Sequence, residues 1–317
     1  MNADADAGAA QTARATWRTS RRTLSIGQRP LVMGILNVTP DSFSDGGRHT
    51  TNQSTVVVQS ATEAALQMVD AGVDIIDVGG ESTRPYSEAV DAETEASRVV
   101  PVIEAIATQS TIPISIDTSK ASVARKAVEA GAEIINDVTG LEGDDAMPTL
   151  AAESRAGVCV MHMRGTPQTM QDDLHYDDVV GEIERYLQDR YQFCLSQGLN
   201  PEAICLDPGI GFGKSHEQNV ALLNATKRFM RLPCPILVGH SRKGFIQKQI
   251  RRDDGVAPSS LMAATLGVSL AVAAAGAHVI RVHDVAETVD GLKLFELSGG
   301  LSPELEPSIE LPRGISR

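Results

Sequence analysis

The sequence predicts a single-domain α/β protein folded as a (β/α)8 TIM barrel. Short runs rich in β-branched residues alternate with amphipathic stretches of helical length, and this alternation requires a parallel sheet. The runs are apolar without interruption, as strands covered on both faces must be. Eight such units follow one another in roughly 260 residues, which is the size of a closed barrel.

The order of the elements follows from the same pattern. We predict strands at 31–38, 73–78, 112–116, 133–136, 158–162, 203–206, 236–238 and 278–282. A helix is expected after each strand, at 54–71, 91–109, 120–130, 144–156, 177–197, 216–228, 258–275 and 285–297. Gly72 stands where the first helix needs a C-terminal cap. The alternative is a doubly wound open sheet, which usually carries a G-x-G-x-x-G fingerprint after its first strand; none follows 31–38.

The two ends of the chain lack this pattern. Residues 1–25 mix Ala, Thr, Arg and Asp without an apolar period, and we expect them to form a disordered leader. Residues 301–317 are rich in proline and are expected to form a loose tail. The barrel is therefore assigned to residues 26–300.

Composition limits the partners of the protein. The chain carries 28 Lys and Arg against 41 Asp and Glu, a net charge of −13, whereas binding to nucleic acid or to an anionic membrane needs a basic surface. No apolar stretch reaches the roughly 20 residues of a membrane span. The four cysteines are scattered without a C-x-x-C pair, which disfavours a zinc cluster or a disulfide framework and favours the cytoplasm.

Polar residues follow the end of every predicted strand. They are Asn37, Asp77 with Glu81, Asp117, Asn136 with Asp137, His162, Asp207, His240 to Lys243, and Arg281 with His283. In a barrel these positions meet at the C-terminal rim, where active sites of this fold are built. A single Asp there is adequately explained as a helix cap or a turn residue. Arg84, Lys243 and Arg281 converging from separate strands instead predict a cationic patch that binds an anion.

The glycine-rich segment 208–215 nearly matches a phosphate-binding P-loop, but Pro208 replaces its first glycine. The strand before it also comes late in the chain, so we reject nucleotide hydrolysis. We interpret Gly209 to Gly213 as backbone that lies close to a flat ligand. Phe212 is then either a wall against a ring or a loop aromatic tucked under the rim.

Eight motifs, in order along the chain, resemble those of the dihydropteroate synthases. They are NVTPDSFSDGG (37–47), GGESTRP (79–85), SIDT (115–118), INDV (135–138), MHM (161–163), DPGIGFGK (207–214), SRK (241–243) and RVHD (281–284). The resemblance implies a (β/α)8 barrel that condenses 6-hydroxymethyl-7,8-dihydropterin diphosphate with p-aminobenzoate. The products are 7,8-dihydropteroate, a folate precursor, and diphosphate, and the class is the target of sulfonamides.

The resemblance also implies which residues act. The catalytic residues would be Asp117, Lys243, Arg281 and His283, and the pterin would bind to Asp117, Asn136, Met161, Asp207, Phe212, Lys243 and Arg281. The diphosphate would bind to Asn37, Arg84, Arg281 and His283, with Mg²⁺ held at Asn37. The p-aminobenzoate pocket would comprise Phe43, Asp45, Thr83, Arg84, Pro85, Lys243 and Gly244. Family members are commonly homodimers through late helices, and the Ala-rich 261–277 segment suits such a contact.

Some residues depart from the family pattern, and two alternatives remain. Tyr86 stands where a glycine is usual and Gly244 where Ser or Arg is common, which bears on the affinity for p-aminobenzoate. The first alternative is a pterin-binding methyltransferase that uses methyltetrahydrofolate and a corrinoid protein. Such an enzyme binds neither diphosphate nor p-aminobenzoate, so the 37–47 and 82–85 loops would not be needed. The second is a non-catalytic paralogue, which would have lost loop residues that are intact here.

Overall fold

An N-terminal β-hairpin and an eight-stranded parallel barrel contain the strands of the described chain. The computed structural model describes residues 14–39, 53–250 and 260–301. The hairpin pairs Ala15–Arg18 (β1) with Thr23–Ile26 (β2) in antiparallel register. The barrel strands are Leu31–Asn37 (β3), Ile75–Gly79 (β4), Ile114–Asp117 (β5), Ile134–Asp137 (β6), Gly157–Met161 (β7), Ile204–Asp207 (β8), Leu237–Val238 (β9) and Val279–Val282 (β10).

The barrel strands are all parallel and follow the order β8-β7-β6-β5-β4-β3-β10-β9. A parallel bridge between Leu206 of β8 and Ile236, just before β9, joins the two ends. The (β/α)8 prediction is therefore confirmed, with each of the eight predicted strands present. Since every barrel strand is covered by helices outside and by side chains inside, uninterrupted apolar runs were the right signal for it.

Helices cover the outside of the barrel. They are Gln53–Asp70 (α1), Ala92–Gln109 (α2), Ala121–Ala130 (α3), Met147–Ser154 (α4), Val179–Ser196 (α5), His216–Asn224 (α6), Thr226–Phe229 (α7), Gly244–Ile250 (α8), Leu261–Ala274 (α9) and Val285–Leu297 (α10). The predicted 216–228 helix is split into α6 and α7, and α8 was not predicted because its seven residues are too few to show a period. None of the helices in the described ranges is long and apolar enough to cross a membrane.

The hairpin corrects the prediction of a disordered leader through residue 25. Trp17 of β1 is fully buried in a cluster with Met33, Ile134, Cys205 and other inward-facing side chains of the barrel strands. Its indole Nε1 donates a hydrogen bond to the carbonyl oxygen of Ala203, 2.9 Å away. The hairpin thus closes the N-terminal end of the barrel. Residues 1–13 and 302–317, and with them most of the predicted tail, lie outside the described residues.

Charged contacts fix the hairpin in place. The guanidinium of Arg22 donates to both carboxylate oxygens of the buried Glu133, at 2.6 and 3.0 Å, and the hydroxyl of Thr19 donates to the same carboxylate at 2.7 Å. Glu133 immediately precedes β6, so these bonds join the hairpin to the N-terminal end of the barrel. Charge-assisted, bidentate bonds of this kind are stronger than neutral ones.

We predict that Trp17→Ala lowers the free energy of unfolding by about 3–5 kcal/mol, the usual cost of removing a buried tryptophan. Urea denaturation followed by circular dichroism measures it. Trp17→Phe is the matched control: it keeps most of the apolar contact but loses the indole bond, so about 1 kcal/mol is expected. Equal stability of Trp17→Ala and the wild type would contradict this role for the hairpin.

Candidate active site

Strand register brings polar residues of the C-terminal rim into one layer. Asn37 of β3 pairs with Gly79 of β4, Gly79 with Asp117 of β5, and Asp117 with Asn136 of β6. Neighbours in parallel register point to the same side of a sheet, so these side chains face the mouth of the barrel together. Gly79 has no side chain, and a Cβ there would make ordinary van der Waals contact, at 3.5 Å, with the Cβ of Asp117. We call the space above this layer the mouth.

A guanidinium at the centre of the mouth joins two carboxylates. Nε of Arg281 donates to Oδ2 of Asp77 and Nη2 donates to Oδ2 of Asp117, each at 2.6 Å. Burial by itself would lower the pKa of Arg281, but the two carboxylates outweigh burial and raise it. The guanidinium therefore stays charged, and its charge is balanced within the mouth.

The carboxylates of the mouth are held away from water. Burial raises the pKa of Asp117 to about 7, against the opposing effect of Arg281 and with a smaller contribution from the nearby Asp77. Burial also raises the pKa of Asp207, although Lys243 and a 2.7 Å hydrogen bond from the backbone N–H of Gly209 act in the other direction. Negative charge is thus unfavourable at these two carboxyl groups, and a positively charged group beside them would relieve it.

Lys243 and Phe212 form one wall of the mouth. The ammonium of Lys243 donates to the carbonyl oxygen of Ile210 and lies 4.4 Å from the centre of the Phe212 ring. Burial lowers the pKa of Lys243 to about 7, opposed by Asp207. Phe212 packs with Met161 and Met170 in a small apolar cluster that also contains Val138. The ring is 9% exposed, so Phe212 is largely tucked in and presents one face to Lys243.

The glycine-rich segment follows the backbone of its neighbours closely. Gly209 has φ +68°, and a Cβ there would lie 1.9 Å from the carbonyl oxygen of His162. A Cβ on Gly211 would lie 2.6 Å from Cδ of Lys243. Lys214 is buried and donates to Nδ1 of His162 at 2.9 Å and to the carbonyl oxygen of Phe212 at 2.7 Å. Its amine is occupied by protein atoms, which agrees with the rejection of a P-loop.

The structure changes the charges expected for the predicted cationic patch. Arg281 is balanced by two carboxylates, and burial lowers the pKa of His283 to about 4, so His283 is neutral at pH 7. Nδ1 of His283 lies 3.0 Å from the hydroxyl of Ser241. Arg84 is exposed on the loop after β4. Sequence reasoning counted formal charges, whereas burial and ion pairing decide the charge that a ligand meets.

The remaining predicted residues that the structure describes lie on the loops around the mouth or at the end of β3. Thr83 is half-buried, Pro85 is exposed, and Gly244 is exposed at the start of α8. Phe43 and Asp45 lie outside the described residues.

Asn37, the residue predicted to hold a metal ion, is half-buried. In the described part of the chain, no group of three or more His, Cys, Asp or Glu side chains is placed to hold a metal ion.

The loop after β4 is anchored to the loop after β7. The backbone N–H of Tyr86 donates to the carbonyl oxygen of Pro167, and Nε2 of Gln168 donates to that of Ser87, both at 3.0 Å. Tyr86 has φ +62° and its side chain is 67% exposed. This left-handed conformation favours glycine, which accounts physically for the residue usual at this position of the family.

Two residues of the mouth were missing from the predicted site. Asp77 was recognised as a rim carboxylate, but nothing in the sequence shows that it accepts hydrogen bonds from Arg281 and from Nδ2 of Asn136. Met170 enters the wall from the loop after β7. Only Asp77 could have been found from the sequence. It lies two residues before Gly79, so its side chain points to the same side of the strand, towards the interior of the barrel.

Comparisons with known proteins agree on one family. A family model described as "Pterin binding enzyme" matches residues 33–283. The dihydropteroate synthase of Escherichia coli K12 is 46% identical over 267 residues, covering 84% of this chain and 91% of that protein. The chain is also similar to two solved synthases. The one from Xanthomonas albilineans, with 4-aminobenzoic acid, has 42% identity and a TM-score of 0.80 over 89% of this chain and 97% of that one. The one from Yersinia pestis, in a sulfonamide drug complex, has 39% identity and a TM-score of 0.79 over 89% and 98%.

The raised pKa of Asp117 predicts a pH-dependent stability. The folded protein keeps a proton on Asp117 up to about pH 7, whereas an unfolded chain releases it near pH 4. Within this window unfolding releases a proton, so the contribution of Asp117 to stability falls as pH rises. The free energy of unfolding of Asp117→Asn, relative to the wild type, should therefore increase from pH 5 to pH 8.

Urea denaturation of both proteins at the two pH values measures this difference. Asp74→Asn is the control, because Asp74 lies at the opposite end of β4, where it pairs with Arg29 at 3.1 Å. A difference between Asp117→Asn and the wild type that stays constant, or shrinks with rising pH, would contradict the assignment.

Proposed function

The chain belongs to the dihydropteroate synthases, a group of the pterin-binding enzymes, and we propose that the residues of its barrel mouth carry out the reaction of that group. The enzyme is a transferase that condenses 6-hydroxymethyl-7,8-dihydropterin diphosphate with p-aminobenzoate to give 7,8-dihydropteroate and diphosphate. The observation that carries the assignment of roles is the hydrogen-bonded network of Arg281, Asp77, Asp117 and Asn136, which lies beside Asp207 and Lys243. We propose that these residues, with the apolar side chains of Met161 and Phe212, border a slot for the pterin.

The polar atoms of this slot match the edge of a pterin. The 2-amino-4-oxo edge presents N–H donors side by side, and a carboxylate accepts such a pair in bidentate fashion. Asp207 is the acceptor: the N–H of Gly209 occupies one lone pair of its Oδ1 and leaves the others for a ligand. Lys243 donates to the ring carbonyl, and Met161 and Phe212 enclose the ring. Arg281, held by its two carboxylates, presents the planar guanidinium that stacks on the ring face.

The same charges favour the chemical step. The C–O bond breaks with its electron pair leaving on diphosphate, and the positive charge left on the methylene carbon spreads into the pterin ring. Asp117 lies in the layer beneath, and its carboxylate stabilises this charge. The amine of p-aminobenzoate then forms the C–N bond and releases a proton. No covalent intermediate with the protein is needed, and no side chain has to act as nucleophile.

Diphosphate is held at the rim by Asn37, Arg84, Arg281 and His283 in this proposal. Neutral His283 donates a hydrogen bond rather than a charge, so Arg84 and Arg281 supply the protein's positive charge. A Mg²⁺ ion fits this arrangement through Asn37 alone, since Mg²⁺ commonly takes one or two protein oxygens together with substrate phosphates. When bound, the ion would neutralise charge that develops on the leaving diphosphate.

We propose that p-aminobenzoate binds beside the loops that follow β4 and β9, together with residues of the segment after β3, which lies outside the described residues. We assign to it Thr83, Arg84 and Pro85 from the second loop, Lys243 and Gly244 from the last, and Phe43 and Asp45 from the first. The contacts of Tyr86 and Gln168 with the facing loop fix the backbone of the second loop. The exposed ring of Tyr86 then borders the entrance for the second substrate.

The late helices support a homodimer. The side of α9 formed by Ala263, Gly267, Ala271 and Ala274 is exposed and carries no charged residue, and α10 exposes Leu294 and Leu297, at 64% and 74%. Small residues allow helices to approach closely, and contiguous exposed apolar surface of this kind is typical of an interface. The free, buried cysteines are compatible with the cytoplasm as the compartment.

The assignment of Asp207 predicts the loss of activity in Asp207→Asn. Two charge-assisted hydrogen bonds to the pterin are lost, each contributing about 1.5–3 kcal/mol, so kcat/KM should fall at least about 100-fold. The assay supplies Mg²⁺, dihydropterin diphosphate and labelled p-aminobenzoate and measures labelled dihydropteroate. Asp74→Asn is the matched control and should retain wild-type kcat/KM. Wild-type protein that binds pterin but forms no labelled product would overturn the proposed function.

The dimer is tested by one charge on α9. Ala271→Glu should convert the wild-type dimer into a monomer, because each subunit would bury an unpaired carboxylate. Sedimentation velocity at micromolar protein measures the mass, and circular dichroism checks the fold. Ser122→Glu, on the exposed side of α3, is the control and should remain a dimer. A monomeric wild type would refute the proposed assembly.

A further inference from the structure

One buried carboxylate of the mouth has no role in the reaction as proposed. Asp77 of β4 lies one layer below the rim, since Asp77 pairs in register with Ser115 while Gly79 pairs with Asp117. Asp77 is fully buried. Both of the hydrogen bonds that its side chain accepts within the described residues come from other side chains of the mouth. Its function must therefore be exerted through other residues.

Both contacts of Asp77 reach residues assigned to the pterin. Oδ2 accepts from Nε of Arg281 at 2.6 Å and from Nδ2 of Asn136 at 3.1 Å. The other oxygen, Oδ1, is buried and accepts no hydrogen bond within the described residues. A buried carboxylate oxygen without a donor is unfavourable for folding. One oxygen of Asp77 therefore contributes nothing to stability, and the other makes two directed contacts with residues assigned to the pterin.

The contact with Asn136 fixes the orientation of an amide. A carboxylate can only accept, so the side of Asn136 that faces Asp77 has to be the NH2 group. The carbonyl oxygen Oδ1 of Asn136 is consequently the atom available to a ligand. Asp207 also presents carboxylate oxygen. These two acceptors match a ring edge made of N–H donors and disfavour an edge that carries a carbonyl.

We infer that Asp77 is a positioning residue that sets ligand specificity: by holding Nδ2 of Asn136 and Nε of Arg281, it keeps the slot selective for the 2-amino edge of a pterin. This inference rests on the proposed function, since it assigns a cause to the selectivity of that same slot. A site built to pair with a donor rejects an analogue that lacks the donor, because buried acceptors are then left unpaired.

Two ring compounds test the inference in the intact protein. Pterin carries the 2-amino group, and lumazine has a carbonyl oxygen in its place. The wild type should bind pterin at least about 100-fold more tightly than lumazine, as measured by isothermal titration calorimetry. Asp77→Leu, of similar size, removes the acceptor and frees the amide of Asn136 to turn, so this ratio should fall at least tenfold.

Two further variants separate positioning from general damage. Asp77→Asn keeps an oxygen that can accept both hydrogen bonds, so it should restore the ratio to within about threefold of the wild type. Glu133→Gln also removes a buried carboxylate that is paired with an arginine, but at the opposite end of the barrel. It should lower stability and leave the ratio unchanged. A wild-type ratio in Asp77→Leu, or an equal fall in Glu133→Gln, overturns the inference.

Asn136→Asp tests the same contact if Asp77→Leu does not fold. Two carboxyl groups would then share the 3.1 Å contact and hold a proton between them. Pterin affinity relative to the wild type should therefore be lower at pH 9 than at pH 6. Asp117, Asp207, Arg281 and Lys243 surround the pair in both proteins, so the relative affinity isolates position 136. A pH-independent relative affinity would overturn the inference. Failure of the wild type to bind pterin would instead remove the proposed function.

Discussion

The ion pairs of Arg281 are the interaction on which the mouth of this barrel depends. Three carboxylates, those of Asp77, Asp117 and Asp207, converge where water is largely excluded, and burial raises the pKa of Asp117 and of Asp207. The guanidinium at 2.6 Å from two of them opposes this effect of burial. Arg281 therefore balances the three carboxyl groups of the site only in part. A ring that becomes cationic during the reaction supplies what is missing.

The rest of the fold serves to hold this arrangement. Parallel register sets Asn37, Asp117 and Asn136 side by side, and Arg281 reaches their layer from β10. At the other end, the indole of Trp17 fills the interior that the strands leave open. The N-terminal end of the barrel is thus closed by apolar side chains that stabilise the fold. The C-terminal mouth instead holds buried charged groups, which are less favourable for folding but available to a ligand.

Much of this could be predicted from the sequence, and the exceptions have physical causes. The eight strands were predictable because burial on both faces makes a run such as 31–38 apolar throughout. The rim residues were predictable because strand ends in a barrel meet at one edge. The hairpin was missed because its strands have only four residues each and alternate, with Trp17 the single large apolar side chain of β1. Several of its partners, such as Glu133 and Ala203, are more than a hundred residues away in the chain, and no local pattern shows them.

The residues of the site could be predicted from the sequence, but their charges could not. The sequence shows that Lys243, Arg281 and His283 are near the mouth, yet their charges depend on burial and on partners across the barrel. Burial lowers the pKa of His283 to about 4 and that of Lys243 to about 7. The neighbouring charge of Arg281 contributes to the lowering of both values. The role of Asp77 depends on a hydrogen bond to Asn136 that crosses from β4 to β6, and only the folded chain defines it.

The most direct test of this account is a crystal structure of the protein with dihydropterin diphosphate and without p-aminobenzoate. The account predicts that the 2-amino edge of the ring lies within hydrogen-bond distance of Asp207 and of Oδ1 of Asn136. Arg281 should stack on the ring while it retains its bond to Asp77. A ring bound outside this slot, or a bound ring with the Arg281–Asp77 contact broken, would contradict the central claim.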